Sequence, residues 1–276
     1  MTSPFSKPDV WDKVAVSYTE TVRHFVQQCL NAVLNRVTLR KDFKVADVAC
    51  GPGTVSLAIR DKVAHIDALD FSPAMLQSFR DQLKYSEAEE SAAGASLKLH
   101  HGDGQNLPFA SEAYDFYFSM FGLMFFPDRL AGLKEARRVL KPNGLCVLGS
   151  WAPFDSSPLM QTIGNAIRAA VPDLPNSPPD EDGFENFSNI ESAALSAGFK
   201  VESIETCQCV LEIPDADWLW RWFSEGGAPI VVLRDSMSSE EWRSVEARAK
   251  EYLAKYLSAP TKLSSEALIT ILKKTD

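Results

Sequence analysis

A glycine loop follows a short apolar run in the first fifth of the chain. The run begins at Lys44 and leads into the loop, in the segment Asp47-Val48-Ala49-Cys50-Gly51-Pro52-Gly53. Glycine has no Cβ, so the backbone there can approach a ligand closely, and the N-terminus of a following helix directs N–H groups to the same place. A strand, a turn of this kind and a helix form a general nucleotide cradle. The same Gly-x-Gly turn could also serve tight packing alone.

The residues after this loop separate the nucleotide classes. The dinucleotide fingerprint G-x-G-x-x-G needs a glycine at position 56, where the chain has Ser56, and no G-K-[ST] of a Walker loop follows. Asp70 ends the next predicted strand, where its two oxygens can accept both hydroxyls of a ribose. It could instead cap the helix that starts near Pro73, a role that Ser72 can also fill.

Strand and helix patterns alternate through the first 150 residues. Apolar residues at helical spacing cover 10–37, and the segment 85–95 is a loop or a helix end. The predicted strands are 44–49, 65–69, 96–101, 114–119 and 145–149. The predicted helices between them are 54–60, 74–83 and 129–140, and a turn at 141–144 precedes the fifth strand. This alternation predicts a parallel sheet with helices on both faces.

The rhythm changes after residue 151. Helices are predicted at 160–170 and 190–197, an exposed loop at 171–182, and strands at 200–211 and 267–272, while 214–257 is mainly helical. We expect an α/β fold: a Rossmann-like, doubly wound, mostly parallel seven-stranded sheet with a helical lid inserted before the last strand. The expected organisation is one domain over 1–276, with a helical cap at 1–40, a cofactor-binding core at 41–155 and a substrate lid at 212–264.

Composition excludes several function classes. The chain has 28 basic and 37 acidic side chains, a formal charge of −9, and no basic tract, so nucleic acid is disfavoured as a partner. No apolar stretch reaches the ~20 residues of a membrane span. The odd number of cysteines and the lack of a C-x-x-C spacing disfavour a disulfide framework and a zinc site, and predict a reducing, cytoplasmic setting. Cys207 and Cys209 could be a redox pair, although strand alternation explains their spacing.

Four segments in order resemble class I S-adenosylmethionine-dependent methyltransferases. Residues 45–54 look like the first motif of that family, and 70–76 are similar to its acidic loop after the second strand. Residues 102–109 look like the adenine-binding segment, and 141–144 resemble the turn before the fifth strand. The likeness is greatest to the small-molecule branch that includes the ubiquinone and menaquinone biosynthesis C-methyltransferases. It covers about residues 10–155.

This resemblance implies a site for S-adenosyl-L-methionine. Asp47 would organise the glycine loop and face the methionine amino group, while Gly51 and Gly53 would line the methionine moiety. Asp70 would hold the ribose. Ala49, which stands where the family more often has glycine, belongs to the same loop.

The resemblance also assigns the adenine and sulfonium contacts. Phe71 and Met75 would pack beside the adenine ring, and Asp103 would accept a hydrogen bond from its amino group. The backbone N–H of Gly104, which replaces a commoner small side chain, would meet the ring. The residues expected near the sulfonium are Ser119, Met120 and Phe121.

The N-terminal helix resembles the family in residues 11–18. Tyr18 could donate its hydroxyl to the cofactor carboxylate or simply pack on the sheet, and Trp11 is expected mainly to pack. Aromatic residues favour a hydrophobic or aromatic acceptor, placed between the loops after the fourth and fifth strands and the late helical block. The acceptor-side candidates are Tyr18, Phe121, Trp151 and Trp222. Further aromatic and apolar residues of this predicted pocket are Met124, Phe125, Phe154, Trp218, Trp220 and Phe223.

Methyl transfer from a sulfonium is an in-line displacement that positioning and desolvation can accelerate without a general base. The chain offers few bases: His65, His100 and His101 are expected to support the fold, His24 could face the cleft, and no catalytic residue is assigned. The spacing of carboxylates shows no magnesium site, so no metal is expected.

The sequence thus favours a methyltransferase of small molecules, as a monomer or homodimer. Two other readings stay open. A fold member could keep the cofactor for a non-methylating reaction such as cyclisation, or only bind it. A dinucleotide-dependent oxidoreductase is disfavoured by Ser56.

Overall fold

A computed structural model describes residues 3–89, 95–174 and 180–275. The strands are β1 (Lys44–Val48), β2 (His65–Asp70), β3 (Ser96–His101), β4 (Tyr114–Met120), β5 (Leu140–Trp151), β6 (Phe199–Ile213) and β7 (Thr261–Lys274). The α-helices of the described residues are α1 (Pro8–Glu20), α2 (Val22–Leu34), α3 (Thr54–Ile59), α4 (Pro73–Glu89), α5 (Arg129–Val139), α6 (Pro158–Ala170), α7 (Phe187–Ser196), α8 (Ala216–Gly226), α9 (Ala228–Asp235) and α10 (Ser239–Tyr256).

The strands form one sheet in the order β3-β2-β1-β4-β5-β7-β6. The first five strands run parallel, while β7 is antiparallel to both β5 and β6. The order reverses between β1 and β4, and in open α/β sheets such a reversal opens a crevice at the carboxyl ends of the strands. This seven-stranded, mostly parallel, Rossmann-like architecture confirms the predicted fold class.

Alternating side chains divide the apolar core between the two faces of the sheet. In β4, Phe116 and Phe118 join the core beneath α1–α4, α6 and α8–α10, whereas Tyr117 between them joins the core beneath α5 and α7. Successive residues of a strand point to opposite faces, so a strand buried on both faces reads as a continuous apolar run. The helices on both faces follow from this pattern.

The N-terminal apolar pattern is divided into two helices. α1 ends at Glu20 and α2 begins at Val22, with Thr21 between them at φ −117° and ψ −75°. The Thr21 hydroxyl donates to the Ser17 carbonyl at 2.6 Å. A Cβ on Gly226 of α8 would lie 2.3 Å from the Thr21 Oγ1, so glycine permits the close approach of α8 to this break.

Other boundaries differ from the sequence expectations. α4 continues to Glu89, past the predicted end at residue 83, and residues 90–94 of the uncertain 85–95 segment lie outside the described residues. The same holds for 175–179 of the predicted 171–182 loop. The predicted turn at 141–144 lies within β5, where the register of its pairing with β4 shifts. Tyr114 pairs with Leu140, but Phe116, only two residues later, pairs with Leu145. Asn143 there takes a φ of +64°.

The late helical block comprises α8, α9 and α10 and lies between β6 and β7 in the chain, as expected. Trp220 of α8 is buried and stacks on Trp242 of α10, with ring centroids 5.9 Å apart. Trp218 and Trp222 lie on a different side of α8, in agreement with the 100° helical spacing. No helix of the described ranges has both the length and the apolar character of a membrane span.

Trp220 is the residue whose loss should most weaken the docking of the helical block. We expect Trp220→Ala to lower the free energy of unfolding by about 3–5 kcal/mol because a large buried side chain leaves a cavity. The indole Nε1 has no hydrogen-bond partner among the described atoms, so Trp220→Phe should cost clearly less than Trp220→Ala. Urea unfolding measures both, with Trp218→Ala as the half-buried control. Equal losses for Trp220→Ala and Trp218→Ala would contradict the assignment.

Candidate functional site

A cavity of about 1050 Å³, including its open mouth, lies at the carboxyl ends of the first four strands. Its walls come from 49–52 after β1, from Asp70 and Phe71 after β2, from 102–105 after β3, and from 120–122 and 125–127 after β4. Trp11 and Tyr18 of α1 cover it from the side of the N-terminal cap. The cavity therefore occupies the switch point of the sheet, where the strand order reverses.

Left-handed backbone at three positions gives the glycine loop its shape. Ala49, Gly51 and Gly53 have φ angles of +56°, +53° and +86°. Ala49 and Gly51 line the cavity, with the Met75 side chain facing Gly51. Gly53 does not line it: a Cβ there would lie 2.3 Å from the Phe79 ring. The second glycine thus serves close packing of the loop on α4, and its contact with the methionine moiety stays a prediction.

Asp47 ties the loop to the helix that follows it. Its carboxylate accepts hydrogen bonds from the Ser56 N–H at 3.1 Å and from the Ser56 hydroxyl at 2.5 Å. Both residues are buried, and burial raises the pKa of Asp47 to about 7 against the opposing effect of these hydrogen bonds. At position 56, where the dinucleotide fingerprint has glycine, the Ser56 hydroxyl therefore holds Asp47 at the cavity wall.

Asp70 joins the ends of β1 and β2. Its two oxygens accept separate hydrogen bonds, from the Gly51 N–H at 2.8 Å and from the Ser72 N–H at 2.9 Å. Burial raises the pKa of Asp70 to about 6, although the bonds from Ser72 and Gly51 oppose the shift. The cap of α4 is a different residue, because the Ser72 hydroxyl accepts from the Met75 N–H at 3.0 Å. Asp70 is thereby left to face the cavity.

The N-terminal helix is fastened to this loop through Asp12. Its Oδ1 accepts from the Ser72 hydroxyl at 2.6 Å and from the Ala74 N–H at 3.1 Å. Tyr18, two turns further along α1, lines the cavity, and its hydroxyl has no hydrogen bond within the described part of the chain. Burial, and then the charge of Asp70, raises the pKa of Tyr18. A neutral phenol held beside the cavity can donate to an anionic ligand group.

The loop after β3 presents both predicted adenine contacts. The exposed Asp103 carboxylate accepts from the Gln105 N–H at 2.9 Å, and the Gln105 amide oxygen accepts from the Asp128 N–H at 2.9 Å. A Cβ on Gly104 would lie 2.4 Å from the Phe126 ring and 2.9 Å from Val48. This explains why glycine stands where the family has a small side chain: Phe126 occupies that space.

The end of β4 contributes two of its three predicted residues to the cavity. Met120 and Phe121 line it, and Phe121 has a φ of +61°. Ser119 is fully buried and does not line the cavity. Its Oγ accepts from the Leu123 N–H at 3.0 Å, so it shapes the turn that carries Phe121.

A row of aromatic rings separates this cavity from a second cleft. Trp151 lies 4.4 Å from Phe121 and 5.9 Å from Phe25, and Phe25 meets Trp222 edge-on at 5.6 Å, all between ring centroids. Phe121 faces the cavity, whereas Phe25 and Trp222 face the cleft. The predicted single acceptor pocket is therefore divided by the rings of Phe25 and Trp151.

The second cleft lies between α2 and α8 and has a volume of about 830 Å³, including open space. Its lining residues are Glu20, Thr21, His24, Phe25, Gln28, Leu211, Trp218, Arg221, Trp222 and Glu225. The other predicted pocket residues lie elsewhere. Phe125 lines the first cavity; Trp220 and Phe223 belong to the core; Phe154 is 42% exposed; and Met124 packs on the opposite face of the sheet.

The histidines of β2 and β3 support the fold, as expected. Asp67 bonds His65 Nε2 and His100 Nε2, both at 2.7 Å, and accepts from the Tyr114 hydroxyl at 2.8 Å. Burial raises the pKa of Asp67, but the bonds from Tyr114, His100 and His65 outweigh it and bring the pKa below its ordinary value. His101 Nε2 contacts the Phe71 carbonyl at 3.0 Å. No group of three or more metal-ligating side chains occurs in 3–89, 95–174 or 180–275.

The cavity also has walls that sequence reasoning missed, namely Phe5, Val26 and Leu30. Phe5 and Trp11 cover it together with Phe125, whose ring centroid lies 5.7 Å from that of Phe5 and 5.1 Å from that of Trp11. Val26 and Leu30 line it from α2. Leu30 belongs to the apolar residues at helical spacing in 10–37, so the sequence indicated its burial. Phe5 lies in no local pattern that points to a site.

The glycine loop yields a matched pair of expected stability changes. Ala49→Gly should raise the free energy of unfolding by about 0.5–1 kcal/mol because glycine adopts a positive φ without the Cβ strain. Gly53→Ala should lower it by about 3 kcal/mol or more because its Cβ meets the Phe79 ring. Denaturant unfolding measures both. A stabilising Gly53→Ala, or an Ala49→Gly that destabilises by more than 1 kcal/mol, would contradict this loop geometry.

Comparison with known proteins agrees with this architecture. Residues 46–148 match a family model described as a methyltransferase domain. The demethylmenaquinone methyltransferase of Staphylococcus aureus (strain MRSA252) is 36% identical over 118 residues, which are 42% of this chain and 46% of that protein. The chain therefore spans slightly less than half the length of the curated relatives it matches.

Solved structures resemble the chain over most of its length. A Bacillus halodurans protein described as a methyltransferase has a TM-score of 0.58 at 18% identity and covers 90% of this chain and 99% of that chain. The 4+2 cyclase SpnF has a TM-score of 0.55 at 17% identity and covers 90% of this chain and 80% of that chain. At these identities the likeness concerns the fold. Residues 46–148 thus form a methyltransferase domain, and the chain shares the fold of these solved structures.

Proposed function

We propose that this protein transfers the methyl group of S-adenosyl-L-methionine to a small, hydrophobic or aromatic acceptor. The observation that carries the proposal is the charge of the cavity at the glycine loop. Asp47, Asp70 and Asp103 line it, and no lysine, arginine or histidine occurs among its described lining residues. Such a wall repels phosphates and attracts a ligand that carries positive charge and hydroxyl groups.

The residues present fit this cofactor. Asp70 accepts the Gly51 N–H on one oxygen and the Ser72 N–H on the other. A carboxylate offers about four lone-pair sites, so lone pairs remain for the hydroxyls of a ribose. Asp47 would attract the methionine amino group, and the free Tyr18 hydroxyl would donate to the carboxylate. Phe71, Met75, Asp103 and Gly104 would contact the adenine, as the family resemblance implies.

When bound, the cofactor supplies a methyl group on a cationic sulfur that is open to in-line displacement. The chain's own residues then orient the reactants and exclude water. Trp11 and Phe125 cover the cavity, and Phe121 closes its inner end toward Trp151. Enclosure of this kind strengthens electrostatic interactions with the cationic centre and favours a reactive alignment. No general base is assigned.

The acceptor would approach from the cleft between α2 and α8. Phe25 and Trp151 are the rings that stand between this cleft and Phe121, so a shift of both rings would connect the two spaces. Trp218 and Trp222 offer aromatic surface, while His24 and Arg221 offer polar contacts at the rim. The Staphylococcus aureus relative is by its name a methyltransferase of demethylmenaquinone, which supports an acceptor of low polarity. We place this small-molecule enzyme in the cytoplasm, as monomer or homodimer.

The first test concerns Asp70 and the binding of S-adenosylhomocysteine, measured by calorimetry. Asp70→Asn should weaken binding by about 10- to 100-fold at pH 8 because a charge-assisted acceptor is lost. In the wild type, affinity should fall as the pH drops through about 6, where Asp70 gains a proton and loses acceptor capacity, and this component should be missing in Asp70→Asn. Asp81→Asn, an exposed acid of α4, is the control.

Two further measurements separate the rival functions. Thermal stabilisation by NAD(P) but not by S-adenosylhomocysteine would overturn the proposal. In the second measurement, metabolite extracts are incubated with enzyme and methyl-labelled cofactor and followed by mass spectrometry. If the protein binds the cofactor but yields no labelled product, the result would favour a fold member that uses the cofactor for a different reaction such as cyclisation. A labelled product would identify the acceptor.

The second test concerns the acceptor cleft and uses the acceptor so identified. Trp222→Ala should raise the KM for the acceptor by about tenfold because aromatic contact area is lost, and should leave the affinity for S-adenosylhomocysteine within twofold. Phe154→Ala, which changes an aromatic residue outside both cavities, should alter neither. A Trp222→Ala enzyme with unchanged KM would exclude this cleft as the acceptor route.

A further inference from the structure

Three cysteines meet where the N-terminal cap lies on the sheet. Cys29 of α2 and Cys209 of β6 are fully buried, and their Sγ atoms lie 2.6 Å apart. Cys207 lies two residues before Cys209, so both point to the same side of β6. The pKa of Cys29 is raised by its hydrogen bond with Cys209 and by burial, with a smaller effect from Cys207. Cys207 is the half-buried member of the three. Strand alternation, which explains the spacing of Cys207 and Cys209, therefore directs both toward a third thiol.

The neighbouring contacts hold the pair in register. The Gln28 side-chain amide donates to the Val210 carbonyl at 2.9 Å and accepts from the Val210 N–H at 3.0 Å. Gln28 thus satisfies the outward backbone groups of an edge strand, directly beside Cys29 and Cys209. Arg36, two residues past the end of α2, forms an ion pair of 2.7 Å with Glu205 of β6. With α2 and β6 fastened on both sides, a bond between the sulfurs requires little backbone movement.

We propose that Cys29 and Cys209 are a thiol–disulfide site that cross-links the N-terminal cap to the edge strand of the sheet. Each thiol gives up one proton and one electron, and a low-molecular-weight disulfide such as glutathione disulfide is reduced to two thiols. The bond joins residues 180 positions apart in the chain. A bond that forms reversibly in this way is compatible with a reducing compartment.

The half-buried Cys207 provides the route for the oxidant. Its thiolate attacks glutathione disulfide and releases one glutathione; Cys29 attacks the Cys207 sulfur of the mixed disulfide and releases the second. Cys209 then exchanges into the Cys29–Cys207 bond, which leaves Cys29–Cys209 and restores the Cys207 thiol.

The cross-link would act on the wall of the main cavity. Val26 and Leu30, on either side of Cys29 in α2, both line that cavity. A bond at Cys29 fixes this helix to β6 and with it one wall of the site. This inference does not depend on which reaction the cavity serves.

The test uses the full chain, oxidised with glutathione disulfide or with diamide, alkylated and digested without reduction. Mass spectrometry should identify the Cys29–Cys209 peptide pair, and dithiothreitol should remove it. Oxidation should raise Tm by about 4–16 °C because the cross-link closes a long loop in the unfolded chain. Cys29→Ser should abolish both changes, because Cys29 takes part in every protein disulfide of the route, and Cys146→Ser, a buried thiol of the opposite core, should abolish neither.

Cys207→Ser tests the route separately. It should slow oxidation by glutathione disulfide at least tenfold, while the smaller diamide should still produce the Cys29–Cys209 pair. If the native wild type yields no such pair under diamide, although the denatured chain forms disulfides in the same assay, the proposed site does not exist. An oxidised form that contains the pair but has an unchanged or lower Tm would contradict a stabilising cross-link between the N-terminal cap and the sheet. Both readouts use the wild type, so they stand even if Cys29→Ser fails to fold.

Discussion

The buried carboxylate of Asp70 is the interaction on which the site depends. One oxygen binds the Gly51 N–H of the loop after β1, and the other binds the Ser72 N–H at the start of α4. The Ser72 hydroxyl continues the connection to Asp12 of α1. A single side chain thus determines the relative positions of the glycine loop, the acidic loop and the N-terminal cap. Because Asp70 is buried, its ionised form is costly, and only its hydrogen bonds offset that cost.

The same arrangement selects a class of ligand. Asp47 is held by Ser56 in a buried position where a dinucleotide site would have glycine, and no basic side chain is present among the described walls to neutralise it. Burial keeps the pKa of both acids raised, so the unliganded cavity holds two carboxylates in an unfavourable environment. A cationic ligand with hydroxyl groups would stabilise the ionised forms of these carboxylates, and a phosphate would destabilise them further.

The aromatic residues serve two spaces rather than one. Trp11, Phe5 and Phe125 cover the main cavity from the N-terminal segment and the loop after β4, while Trp218 and Trp222 of the helical block line the separate cleft. The Phe25 and Trp151 rings form the partition. The helical block therefore shapes the approach to the site and leaves the covering of the cofactor region to the N-terminal cap. Its designation as a lid over 212–264 stays a prediction, as do the other domain boundaries.

The sequence by itself determined the βα alternation and the glycine loop, which rest on local patterns: period-2 burial and a turn that requires left-handed backbone. Asp70 was indicated as an acid at a strand end, and the roles of Asp47 and Phe121 came from the family resemblance. The contacts of all three with the cofactor stay predictions. The tertiary structure alone decided that Gly53 packs on Phe79, that Gly104 makes room for Phe126, and that Cys29 meets Cys209. It also divided the predicted acceptor pocket at Phe25 and Trp151. Contacts between residues far apart in the chain depend on how helices dock and cross, and no local periodicity encodes that geometry.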